Sequence, residues 1–107
     1  MYVIRRVSKV QKGQEWKAAA LLTKIAAAYE ANGRNKSHIY MANAGLPGEA
    51  GRVYVEWTTE RIEPNYFSKI PKEVLELNKQ LREIQEDSWI EFYEAATPDK
   101  LTERGLL

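Results

Sequence analysis

The sequence predicts an α+β fold of the ferredoxin-like type, βαββαβ, in which a four-stranded antiparallel sheet carries two helices on one face. Two observations lead to this fold. Four segments alternate apolar and polar residues, whereas two longer segments repeat their apolar residues at the helical period. Their order along the chain is strand, helix, strand, strand, helix, strand, which is the order that this fold requires. The second face of the sheet is then left without a cover from the chain itself.

Length and composition indicate one globular domain spanning residues 1–107. Hydrophobic residues make up 44% of the chain and charged residues 29%, which is ordinary for a globular protein. The net charge of +1 lacks the basic excess of a nucleic-acid-binding protein. No apolar run is long enough for a membrane span, and no signal-peptide core is visible. The absence of cysteine excludes disulfides and suits a reducing compartment, so we expect a cytoplasmic protein. From the balanced charge and the lack of a membrane span, we expect neither nucleic-acid nor membrane partners.

The first strand and the first helix have clear boundaries. Residues 2–10 mix β-branched and charged side chains in rough alternation, which predicts strand one. A turn at Gly13 follows, and a helix begins near Gln14. That helix ends before Gly33, because glycine adopts the left-handed C-cap conformation without steric cost. We expect Trp16 to anchor the helix onto the sheet or a loop.

Residues 37–44 and 52–59 alternate again and predict strands two and three. The sequence GLPGEAG between them resembles a phosphate-binding loop, but it lacks the spacing of that motif and does not open a helix. We therefore interpret it as a hairpin loop. A second loop over residues 60–70 contains the aromatic pair Tyr66-Phe67, which we expect to hold it against the body of the domain.

The last third of the chain predicts a second helix and a fourth strand. Pro71 suits the first turn of a helix, where its missing N–H is not needed, and apolar residues recur at about 3.5-residue spacing over 72–88. Residues 89–96 alternate and predict strand four. Thr97 followed by proline predicts the start of a short helical tail over residues 97–107.

Residue parity sorts the strand side chains onto two faces, because successive side chains of a strand point to opposite sides. The apolar set should lie under the helices, and the other set forms what we call the open face. For strand one we assign Tyr2, Ile4 and Arg6 to the open face, because Val3 and Val7 then join the apolar set; the opposite register is the alternative. The remaining open-face residues are His38, Tyr40, Tyr54, Glu56, Thr58, Trp89, Glu91 and Tyr93.

The composition of the open face predicts a second copy of the chain as its partner. Its tyrosines and tryptophan are too apolar for free solvent, and its charges are unusual for a dry core. Packing two such faces across a two-fold axis removes both from water and leaves room for a pocket. We therefore expect a homodimer formed through the open face.

Three short motifs accompany this order of elements. They are Tyr2 and Arg5 in strand one, Lys12-Gly13 before a helix that opens with Glu15-Trp16, and Val55-Glu56-Trp57 in strand three. With these features the chain resembles the dimeric α/β-barrel superfamily, and within it NIPSNAP-like and antibiotic-monooxygenase-like proteins. The resemblance implies a ferredoxin-like protomer, a dimer that closes an α/β barrel, and a pocket in each half. Its members include cofactor-independent oxygenases, isomerases, haem-degrading enzymes and stress-response proteins.

The resemblance and the residues together predict a small-molecule-binding protein, and one hypothesis is a cofactor-independent oxygenase or isomerase acting on a hydrophobic or aromatic metabolite. Such an enzyme needs a base, and His38 is the only histidine, with Glu56 and Glu91 as further acid–base candidates. The alternative is a non-catalytic homodimeric ligand-binding or stress-response module. In that case Glu56 and Glu91 form cross-strand salt bridges.

No cofactor and no metal are expected. Haem-degrading relatives use an asparagine on strand one and a histidine on the second helix, and the chain has neither at those places. A metal at His38 would need both Glu56 and Glu91 beside it. An RNA-recognition motif shares the order of elements, but Arg52 stands in place of its first stacking aromatic.

The predicted ligand-binding residues combine flat apolar bodies with polar ends, which suits the orientation of an aromatic molecule. The same residue types are common at dimer interfaces, so packing is the alternative. Trp57 lies on the apolar parity and is expected in the core. The predicted ligand-binding residues are Tyr40, Tyr54, Tyr93, Arg6 and Trp89.

Overall fold

The computed structural model describes residues 1–62 and 70–107, and within them the chain has the predicted ferredoxin-like βαββαβ order. The proposed contact of Tyr66-Phe67 lies outside the described residues. The elements are β1 (Tyr2–Val10), α1 (Glu15–Ala31), β2 (His38–Ala42), β3 (Arg52–Thr59), α2 (Lys72–Arg82), β4 (Gln85–Glu94) and a short α3 (Pro98–Glu103).

The four strands form one antiparallel sheet in the order β2-β3-β1-β4, so that β1 and β3 are central and β2 and β4 are edges. Helices α1 and α2 lie on one face, which we call the closed face. The core between helices and sheet includes Ile4, Leu22, Val53 and Val74, each at most 1% exposed. Trp57 is 5% exposed and packs in this core, as predicted.

The predicted register of β1 is wrong. Ile4 pairs with Trp57 on one side and with Phe92 on the other, so the even-numbered residues of β1 face the helices. Arg6 therefore lies on the closed face, and Arg5 lies on the open face. The prediction was wrong because it assumed that buried valines must lie under the helices. Val7 is only 1% exposed, yet it belongs to the open face, where its Cα partners carry large aromatic rings.

The boundary between α2 and β4 also differs from the prediction. The helix ends at Arg82 rather than Ser88, and β4 begins at Gln85. Ser88 is a Cα partner of Ser8 in the ladder with β1, so tertiary pairing outweighs the helical spacing of the local sequence. Ile84 lies in the intervening turn and remains buried, with its N–H donating to the Leu81 carbonyl at 3.0 Å.

Two further expectations concern the surface. Trp16 does not anchor α1, because 73% of its surface is exposed. The short C-terminal helix is present, and its N-cap Thr97 accepts a hydrogen bond from the Lys100 N–H at 3.3 Å. No residue of α3 is buried.

None of the helices in the described parts of the chain is long and apolar enough to cross a membrane.

We predict that Leu22→Ala lowers the free energy of unfolding by about 2–5 kcal/mol, because it leaves a cavity in the core between α1 and the sheet. Urea unfolding at neutral pH measures the change. Leu75→Ala is the matched control, since Leu75 is 60% exposed on α2 and Leu22 is 1% exposed. Equal losses for the two variants would contradict the assignment of the core.

Candidate functional site

The open face arranges its polar side chains in rows across the sheet, because the strand registers align residues of the same parity. One row crosses β2, β3, β1 and β4 through His38, Glu56, Arg5 and Glu91. The neighbouring row consists of Tyr40, Tyr54, Val7 and Trp89. Tyr93 is in β4, two residues beyond Glu91 and on the same face. Apart from Arg6, the structure therefore places the predicted site residues on the open face.

Arg5 is the centre of this face. Its Nε donates to Glu91 Oε1 at 2.7 Å, and its guanidinium carbon lies 5.2 Å from the ring centroid of Tyr54 and 5.7 Å from that of Tyr93. The Tyr40 hydroxyl and the Glu91 carboxylate raise the pKa of Arg5 above its already high ordinary value. The side chain is thus a fixed cation. Sequence analysis did not select it as a site residue, because the register of β1 was assigned incorrectly.

Glu91 accepts hydrogen bonds from three neighbours. The donors are the Trp89 indole N–H at 3.0 Å, the Tyr93 hydroxyl at 2.8 Å and Arg5. The bonds from Trp89, Tyr93 and Arg5, in that order, lower the pKa of Glu91, while Glu91 raises the pKa of Tyr93. A carboxylate held in this way is a weak base and a poor proton donor at neutral pH. Its arrangement suits anchoring the face rather than moving protons.

Tyr40 and Glu56 form a second polar pair on the open face. The Tyr40 hydroxyl donates to Glu56 Oε1 at 2.9 Å, and its ring stacks on Tyr54 with centroids 5.0 Å apart and planes 17° apart. Burial raises the pKa of Tyr40 against the opposing effect of Arg5, and Glu56 adds to the increase. This hydroxyl therefore acts as a hydrogen-bond donor at neutral pH.

His38 is exposed on the edge strand β2, with Glu56 as its Cα partner. Glu91 lies on the opposite edge strand, three strand spacings or about 14 Å away. One protomer thus brings His38 beside Glu56 but does not bring it to Glu91. Within the described residues, no group of three histidine, aspartate or glutamate side chains is arranged to hold a metal ion. The catalytic role of these three residues stays a prediction.

A cavity of about 360 Å³ lies on the closed face, between the helices and the sheet. Its apolar walls include Leu22, Ile25 and Ala26 of α1 and Val55 of β3. The sequence predicted a pocket on the open face and not this one. The empty volume between side chains of different elements cannot be recognised from the spacing of residues along the chain. Two predicted ligand residues, Arg6 and Trp89, line it. Trp89 also belongs to the open face, where its indole N–H binds Glu91.

The cavity also contains polar groups that sequence analysis did not identify. The Arg34 guanidinium stacks over Tyr29 at 3.8 Å and over Trp57 at 4.1 Å from the ring centroids. Asn78 of α2 lines the cavity, and its buried Oδ1 has no hydrogen-bond partner among the described residues. Cationic, amide and aromatic groups thus meet in a space bounded mainly by apolar side chains, which is the usual construction of a ligand site.

Comparison with known proteins identifies the fold. No protein-family model and no curated protein sequence matches the chain. A NIPSNAP domain protein from Burkholderia xenovorans has a similar structure, with a TM-score of 0.68 at 10% identity over 92% of this chain and 97% of that one. An antibiotic biosynthesis monooxygenase has a TM-score of 0.65 at 8% identity over 91% and 100%. A dimeric ferredoxin-like protein of unknown function from Bacteroides fragilis has a TM-score of 0.59 at 18% identity over 88% and 96%. The structural resemblance to NIPSNAP and monooxygenase proteins agrees with the prediction.

We predict that Glu91→Gln destabilises the protein at pH 7 and that this effect diminishes in acid. Because folding lowers the pKa of Glu91, the ionised carboxylate stabilises the native state above its unfolded pKa of about 4.3. That contribution is lost as the pH falls through the lower native pKa. Urea unfolding of both proteins between about pH 7 and pH 3 measures the difference.

Glu86→Gln, which removes an exposed carboxylate from the same strand, controls for the loss of one charge. A destabilisation by Glu91→Gln that is the same at both ends of the pH range would contradict the assignment.

Proposed function

We propose that the protein binds a small molecule in the cavity between the helices and the sheet, and that two copies pair through their open faces to form a dimeric α/β barrel in the cytoplasm. The observation that carries the proposal is the cavity itself. Its volume of about 360 Å³ is within the range of small-molecule sites. Its walls are mainly apolar, with a few polar groups that can orient a ligand.

The open face supports the dimer because its charges are already paired within one protomer. Arg5 and Glu91 bind each other, and Tyr40 binds Glu56. Covering this face therefore buries hydrogen-bonded pairs rather than isolated charges, which is the condition under which charged groups tolerate burial. Tyr40 and Tyr93 are 40% and 47% exposed and offer aromatic surface to a partner. A structural relative is described as dimeric, which agrees with this arrangement.

The chemistry of the cavity favours ligand binding over catalysis. Its described lining residues contain no histidine, aspartate or glutamate and hence no ordinary general base. His38 remains the candidate base for the alternative function, an oxygenase or isomerase acting on an aromatic metabolite. Its position on an exposed edge strand means that a second copy would have to complete such a site at the interface.

We predict that the neutral fluorophore N-phenylnaphthylamine binds the protein with one site per chain. Ala26→Phe should weaken this binding by about tenfold or more, because the phenyl ring fills a cavity whose wall includes Ala26. Fluorescence titration measures both affinities, and circular dichroism checks that the variant is folded.

Ala27→Phe is the matched control, because Ala27 is the next residue of α1 and is exposed. If the Ala27 variant lost binding to the same extent as the Ala26 variant, the dye would not occupy this cavity.

We predict that the protein sediments as a dimer and that Tyr54→Glu shifts it to the monomer. The substitution places a carboxylate in the middle of the open face, where the two-fold axis would bring it close to its own copy. Sedimentation velocity over a range of protein concentrations measures the shift. Thr23→Glu adds the same charge to an exposed position of α1 and should leave the dimer intact. A monomeric wild-type protein at high concentration would exclude the interface.

A further inference from the structure

We infer that the ligand of the closed-face cavity is an uncharged hydrophobic molecule with a hydroxyl group, a phenol or an alcohol, and that Asn78 of α2 binds this hydroxyl. The inference rests on the proposed function and specifies the ligand of the same site. Asn78 lines the cavity, and its Oδ1 is buried without a hydrogen-bond partner among the described residues. Such an atom loses its contact with water on folding and gains no partner in return, which destabilises the protein without ligand.

Asparagine is unfavourable at this position for a second, independent reason. Asn78 lies inside α2 (Lys72–Arg82), and asparagine has a lower helix propensity than leucine, glutamine or lysine. The helix and its packing would therefore both be more stable with another residue at position 78. Residues that conflict with folding in this way are expected at functional sites, where binding outweighs the loss of stability.

A hydroxyl group is the ligand group that suits this amide. Rotation about the Cβ–Cγ bond of asparagine is soft, and it exchanges the positions of Oδ1 and Nδ2, so either end of the Asn78 amide can turn toward the cavity. A hydroxyl donates to the amide oxygen in one orientation and accepts from the NH₂ group in the other. An ether or a ketone can only accept, and a purely apolar ligand leaves the amide unpaired.

Strand β4 contributes a second uncharged polar side chain to the same cavity. Ser88 lines the cavity, and its side chain belongs to the closed face because its Cα partner is Ser8, an even-numbered residue of β1. A ligand hydroxyl that bonds to Asn78 keeps further hydrogen-bonding capacity, since a hydroxyl has one donor and two acceptor sites. The cavity thus has groups for a hydroxyl on α2 and on β4.

The wall formed by α1 determines the rest of the ligand. Leu22, Ile25 and Ala26 offer no polar side-chain atoms, so the body of the ligand must be apolar to fit against them. A multiply hydroxylated molecule such as a sugar would lose its hydration along this wall without replacement. Arg6 and Arg34 also line the cavity, but both interact with other groups of the chain, so we assign no ligand charge to them.

Two ligands of nearly the same shape test the inference. In 4-butyltoluene a methyl group replaces the hydroxyl of 4-butylphenol, and the phenol is uncharged at neutral pH. We expect the wild-type protein to bind the phenol about tenfold more tightly, both affinities being measured by displacement of N-phenylnaphthylamine. A hydroxyl favours water over an apolar cavity, so a preference for the phenol requires a hydrogen-bonding partner inside the cavity.

Asn78→Leu should lower the ratio of the two affinities by about tenfold, because it removes the partner of the hydroxyl. The ratio isolates the hydrogen bond, since a change in cavity volume affects both ligands alike. Ser8→Ala is the matched control: the Ser8 Oγ is also buried without a partner, but Ser8 is not among the residues that line the cavity. It should leave the ratio unchanged. Asn78→Ala replaces the leucine variant if that variant does not fold.

An affinity ratio that Asn78→Leu leaves unchanged would overturn the role of Asn78 and leave the cavity site standing. Wild-type protein that binds the toluene as tightly as the phenol, or that releases the dye to neither ligand, would have the same meaning. Failure of the dye and of both ligands to bind would overturn the proposed function together with this inference.

Discussion

The pairing of Ile4 with Trp57 on one side and with Phe92 on the other is the constraint on which the rest of the structure depends. Because β1 is a central strand, this register fixes the face of every residue in it. Arg5 and Arg6 are neighbours in sequence, yet one lies on the open face and the other on the closed face. A slip of one residue would exchange them and would place Arg5 among the core side chains.

The register gives Arg5 on the open face and Arg6 on the closed face different surroundings. On the open face, Glu91 neutralises Arg5, and tyrosines surround the guanidinium, so the polar groups are paired before any partner arrives. On the closed face, Arg6 lines a cavity whose walls are mainly apolar. The first arrangement suits burial against a second copy of the chain, and the second suits the small ligand that we propose. In the proposed function, ligand binding and dimerisation thus use opposite sides of one sheet.

The helices leave the closed face incompletely filled, which is why a cavity can exist there. The alanine-rich α1 contributes small side chains such as Ala26 to the cavity wall. Helix α2 has 11 residues and ends at Arg82, well before the predicted boundary. Phe92 belongs to the closed face by register and is nevertheless 47% exposed, so the helices do not cover the outer part of β4.

The sequence predicted those features that depend on local pattern. The alternation of residues 52–59 gave β3 its observed bounds, and the parity of β2, β3 and β4 placed Tyr40, Tyr54 and Glu91 on the open face correctly. The sequence did not predict the end of α2, because the position of Ser88 fits the spacing of a helix as well as that of a strand. The pairing of Ser88 with Ser8 is what places it in a strand. The cavity and the stacked position of Arg34 depend on distances between elements, and no sequence period encodes those distances.

A crystal structure of the protein with bound N-phenylnaphthylamine tests most directly the claim that one sheet separates ligand binding from dimerisation. The expected result is two open faces in contact across a two-fold axis, with each dye molecule between α1 and the closed face, beside Arg6 and Val55. Dye located between the two sheets near Tyr54, or open faces left in solvent while the helices form the dimer, would contradict the claim.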